Sequence, residues 1–172
     1  MRNLLKLYPV DCPPTIWEPC VEFANRFNEA YSIPDLLRVI VFPLGHFIFP
    51  YCRDIIHDHV KKQVGIGLKR RPLWEDHIQK NIGEYVLGSY LPLIVDRKAT
   101  PVIVLAAGES NCYSNIRMKV MPTFAHEVSH YFQHLEGCKI TERGIRIRTR
   151  NLLKFLGYHQ IVNHSPLCKV KT

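Results

Sequence analysis

"MPTFAHEVSHYFQHLEG", residues 121 to 137, is the stretch that decides how the chain is read. Phe124, Ala125, Val128 and Phe132 form an apolar stripe at helical spacing, Pro122 or Thr123 stands near the start, and Gly137 is a natural C-terminal stop. On such a helix His126 and His130 project from one face a turn apart, so both imidazoles can reach one ion from the same side. Glu127 is offset by about 100° of helical turn and reaches past that ion rather than onto it.

This arrangement divides the labour of hydrolysis. Zinc lowers the pKa of a bound water to about 7 and polarises a carbonyl, while a carboxylate beside it carries a proton from the water to the leaving group. Glu127 is placed for that proton transfer. A third protein ligand must complete the site and leave one position open to water.

Several residues compete to be that ligand. His134 continues the four-residue spacing, yet on an unbroken helix it lies about 12 Å along the axis from His126; Glu136 shares the difficulty. His159 and His164 lie at or beyond the end of the last helix, where a chain return could bring either in. Glu142 follows the Gly137 turn, and a carboxylate in the first turn of a second, antiparallel helix can face back toward His130.

Outward from the motif, Thr141 can cap a helix through "ERGIRIRTRNLLKFLGY", residues 142 to 158, with Ile145, Thr149, Leu152 and Leu156 on one face and Arg143, Arg146, Arg150 and Lys154 on another. Upstream, "IGEYVLGSYLPLIV" (82–95) and "PVIVLAAG" (101–108) are rich in β-branched and aromatic residues and joined by a charged link, with "IRMKV" (116–120) as a weaker third strand. Nearer the N-terminus, helices are predicted in "TIWEPCVEFANRFNEAY" (15–31), in "SIPDLLRVIVF" (32–42) from the start signals Ser32 and Asp35, and in "CRDIIHDHVKKQVGIGL" (52–68). "LKRRPLWEDH" (68–77) reads as a basic connection. Cys52, His57 and His59 resemble a metal cluster, but residues two apart on a helix face different ways.

The expectation is a single α+β domain over residues 1–172. Residues 1–81 form a mainly helical part, and 82–157 hold a small central sheet, the motif helix and a C-terminal helix. Lys and Arg number 23 against 15 acidic residues, a formal charge of +8, which favours acidic partners such as nucleic acid. The most apolar run, Leu36 to Cys52, is interrupted by Arg38, Pro43, Gly45, His46 and Pro50 and reads as core, so no membrane span is expected. Six cysteines without a CxxC pair, and an N-terminus too poor in apolar residues for a secretory signal, predict reduced thiols and a cytoplasmic protein.

"TFAHEVSHYFQHLEG" followed by "TERGIRIRTRNLLKFLG" resembles the core of the HExxH zinc metallopeptidases, the zincins. The resemblance is narrower to the small glutamate-ligand members and the ImmA/IrrE-like and SprT-like intracellular or phage-borne peptidases. It spans roughly residues 82 to 157, and only the five-residue motif is specific. It implies a zincin-like fold and Zn²⁺, with His126 and His130 as ligands, Glu127 as general base and Glu142 as the downstream glutamate ligand. It also implies an edge strand that binds the backbone of a protein or peptide substrate, for which "PVIVLA" or "IRMKV" would serve. An oxyanion stabiliser would come from Tyr158, His159 or Arg146 by residue type. The SprT-like resemblance adds nucleic acid as a partner, through the basic helix 143–154.

Overall fold

Val39, Ile40 and Val41 stand in a row of β-branched residues that a pleated strand accommodates better than a helix. In the computed structural model, which describes residues 4–48, 51–65, 85–110, 115–165 and 168, they form the centre of a strand. The predicted helix over 32–42 is therefore corrected: Leu37–Phe42 is strand β2. It runs parallel to β1 (Leu5–Pro9) on one side and to β6 (Lys98–Ala106) on the other. A parallel strand buried on both faces shows no apolar alternation, so period offered no clue to it.

The four-stranded sheet has the order β1-β2-β6-β5, with β5 (Gly88–Val95) antiparallel to β6 at one edge. Strands β3 (Phe47–Ile48) and β4 (Tyr85–Val86) form a separate antiparallel pair. The sheet is not confined to the middle of the chain, as the sequence led us to expect, because half of it comes from the N-terminal 42 residues.

Two helices stand where their stripes predict: α1 (Pro14–Ala30) and α2 (Arg53–Val64), the latter ended by Gly65 at φ 73°. The sheet separates two cores. Val39, Val41, Ile103 and Leu105 face Phe23, Phe27, Phe124 and Val128 of α1 and the motif helix, while Ile40, Phe42, Val102 and Val104 face Ile56 and Val60 of α2. The basic connection at 68–77 and residues 82–84 of the predicted first strand lie outside the described residues.

The motif helix, α3 (Ile116–Leu135), begins five residues before Met121. Asn115 caps it, its Oδ1 accepting from the Met118 amide at 2.9 Å. "IRMKV" is thus the first turn and a half of this helix and not a strand. Pro122 lies inside the helix rather than at its start. It leaves the Met118 carbonyl without its usual partner, and the Ser165 hydroxyl donates to that carbonyl at 3.0 Å instead.

Helix α4 (Ile145–Phe155) starts after Gly144 at φ 74°, so Thr141 and Glu142 belong to the link before it and not to its first turn. Gly157 separates α4 from a short α5 (His159–His164). The chain is α+β, with five helices and a small mixed four-stranded sheet among the described residues. Among those residues no helix is long and apolar enough to cross a membrane.

Candidate metal centre

His126 and His130 lie one turn apart on α3 and turn the same ring edge toward the link that carries Glu142. The two Nε2 atoms are 3.1 Å apart; His130 Nε2 is 3.1 Å from Glu142 Oε1, and His126 Nε2 is 3.3 Å from Glu142 Oε2. Zinc–nitrogen and zinc–oxygen bonds of about 2.0–2.1 Å in a tetrahedron separate ligand atoms by about 3.3–3.4 Å. His126 and His130 meet different oxygens of Glu142, and with one ligating atom from each residue the three lie within 4.8 Å of one another, close enough for the side chains to close on a small cation. Among the described residues these three form the one cluster of His, Cys, Asp or Glu side chains that could share an ion.

The surroundings bear on the protonation of two of these donors, Glu142 and His130. Hydrogen bonds from His126 and then His130 hold the Glu142 carboxyl far below the usual carboxylate range, although its side chain is 72% exposed. Burial is the largest influence on His130 and pushes its pKa down, but Glu142, Glu127 and Gln133 together outweigh it and leave the pKa raised. His130 Nδ1 is 3.0 Å from Gln133 Oε1.

Glu127 is buried beside the cluster, where Gly88 opens β5. Burial lifts its pKa above the ordinary range, against the opposing pull of His126 and His130; the Tyr90 amide also donates to the carboxylate. The sheet register explains why that amide is available. Ala106 N donates to Leu87 O at 2.9 Å, so in the antiparallel alternation Ser89, Leu91 and Leu93 point their amides to β6. Gly88, Tyr90 and Ile94 point theirs away from β6, to the sheet's edge, and Pro92, at the same phase, has none.

The other residues weighed as ligands lie elsewhere. His134 Nδ1 is 2.5 Å from the Tyr90 hydroxyl, and Glu136 forms a two-pronged ion pair with Arg148 at 2.8 and 2.9 Å. His159 and His164 are exposed at the two ends of α5. Tyr158 is buried with its ring stacked on Phe23, 6.1 Å between centroids, and His159 lines a cavity with Glu22, Arg26 and Arg117. Of the predicted basic face, Arg146 and Lys154 are exposed on α4, Arg150 is half-buried, and Arg143 precedes the helix.

Two contributors escaped the sequence reading. Gln133 follows His130 by three residues, a spacing that places it on the same helix face. Gly88 interrupts a strand, which is the signal for a close approach; a Cβ there would lie 3.0 Å from Glu127 Cγ. Comparison with protein-family models, curated proteins and solved structures gives no match to this chain.

Proposed function

We propose that the protein is a zinc-dependent endopeptidase with a zincin-like centre, in which His126, His130 and Glu142 hold the ion and Glu127 is the general base. The observation that carries the reading is the convergence of two imidazole nitrogens and a carboxylate, whose ligating atoms, one from each residue, all lie within 4.8 Å of one another, with a buried carboxylate next to them. Two nitrogens and one oxygen suit zinc, and three protein ligands leave a coordination position for chemistry.

When bound, zinc supplies a Lewis acid that polarises the scissile carbonyl and eases deprotonation of water. Glu127 takes that proton on its carboxylate and delivers it to the amine nitrogen as the peptide bond breaks. Its raised pKa makes it a better proton acceptor than an ordinary surface glutamate. The Tyr90 amide orients it.

The strand suited to receive the substrate is β5. The sequence reading favoured "PVIVLA" or "IRMKV", but "PVIVLA" is the interior strand β6, paired on both sides, and "IRMKV" is helical. β5 is an edge of the sheet and begins at Glu127, so an extended peptide laid along it passes the base.

Metal analysis and one substitution test the proposal. The purified protein should hold close to one zinc per chain and cleave a peptide library read by mass spectrometry. Glu127→Gln should keep the zinc and lose activity by roughly 10²- to 10⁴-fold. Protein that takes up no zinc sinks the reading, and zinc-loaded Glu127→Gln with undiminished cleavage removes Glu127 from the mechanism.

A further inference from the structure

We propose that Gln133 is the positioning residue of the centre: one buried amide fixes the tautomer of His130 and pins the link that presents Glu142. The proposal rests on the metal-centre reading above and extends it to a residue outside the donor set.

Gln133 Nε2 donates to the Thr141 carbonyl at 3.1 Å, and Gln133 Oε1 accepts from the Thr141 amide at 3.2 Å. A peptide N–H can only donate and a peptide carbonyl can only accept, so the side-chain amide has one permitted orientation. Its oxygen is therefore an acceptor for every other neighbour. His130 Nδ1, 3.0 Å from that oxygen, must be the protonated nitrogen. Nε2, the atom 3.1 Å from both Glu142 Oε1 and His126 Nε2, is then the nitrogen left for a cation, which displaces the proton that Nε2 shares with Glu142 in the metal-free centre.

The same amide solves a second problem. Glu142 is largely exposed and lies in a short link, two residues before a glycine at positive φ, so burial does not hold it. The clamp on Thr141 fixes the residue directly before it, and it does so from a side chain that is itself 4% exposed. A ligand on the helix and a ligand on the link are thus tied to one rigid group. This is how a helix carrying two ligands recruits its third with little loss of chain freedom on metal binding.

The test uses Gln133→Met, which keeps the side-chain volume without the amide, and Gln133→Glu, which keeps acceptor oxygens for His130 and the Thr141 amide but loses the donor to the Thr141 carbonyl. Two quantities are read: zinc affinity by competition with a chromophoric chelator, and the His130 tautomer by long-range ¹H–¹⁵N correlation in metal-free protein. Gln133→Met should remain folded, lose on the order of 10- to 100-fold in zinc affinity, and shift His130 toward the Nε2–H tautomer that Glu142 alone selects. Gln133→Glu should keep His130 Nδ1 protonated but recover only part of the affinity, because it has no donor for the Thr141 carbonyl, a split that a merely structural role would not produce. If Gln133→Met does not fold, Gln133→Asn carries the same expectations, because its amide is one methylene short of Thr141.

Unchanged affinity and tautomer in the folded variant overturn the clamp while leaving the metal centre standing. Wild-type protein that binds no zinc overturns the centre instead, and the tautomer measured without metal still judges the clamp.

Discussion

A Cβ added to Gly88 would meet Glu127 Oε1 at 3.1 Å and Thr123 Cγ2 at 3.2 Å as well as Glu127 Cγ, so the glycine shapes the space in which Glu127, the proposed general base, sits. Gly88→Ala should therefore displace the Glu127 carboxylate while leaving His126, His130 and Glu142 in place. The expected outcome is unchanged zinc content with cleavage reduced by about 10²-fold, the cost of a misplacement near 1 Å; equal loss of metal and activity would point to general disruption. At this scale His126, Glu127 and His130 were legible because helix geometry alone relates them. Glu142 was legible only as one of several alternatives, since its place depends on a link whose path is not encoded by spacing. Gln133 was not legible at all: a glutamine on a helix is ordinary until its tertiary partner is known.

Helix α3 carries, besides the motif, a lysine with no exposed surface. Lys119 Nζ donates to the Gly108 carbonyl at 2.6 Å, and burial lowers its pKa from 10.5 to about 8. Between those values the unfolded chain binds the proton more tightly than the folded one, so this residue makes stability rise as pH rises through the window. The penalty for burying the charged form is present in full below about pH 8 and is gone above about 10.5. Urea denaturation of wild type and Lys119→Met across pH 7 to 11 should show the rise in the wild-type-minus-variant difference; a flat difference would refute it. The start of α3 also shows why "IRMKV" misled: its β-branched residues suit a strand, but the Asn115 cap and the Ser165 hydroxyl that compensates Pro122 favour helix. For β2 the opposite happened, with plausible capping signals outweighed by two-sided burial.

Across the whole molecule, the α+β class was readable from composition and texture, but the way the halves interlock was not. Parallel pairing of β1 and β2, and of β2 with β6, joins segments up to about 60 residues apart through backbone bonds that leave no local pattern. The motif helix packs on α1, β5 and β6, and β6 is in turn paired to the N-terminal β2, so α3 depends on residues far from the motif. The edge of that sheet has a consequence for handling the protein in solution. Pro92 occupies a position of β5 that faces away from β6, where its missing amide costs the ladder nothing, and Ile94 beyond it is 73% exposed. A proline there breaks the row of donors that would otherwise template another copy, so it protects against self-association. Pro92→Val should fold and then aggregate at lower concentration than wild type, as seen by light scattering. On the proposed reading, the strand beside Glu127 keeps donors for an added peptide strand at Gly88 and Ile94 while Pro92 interrupts the row that a second copy would need.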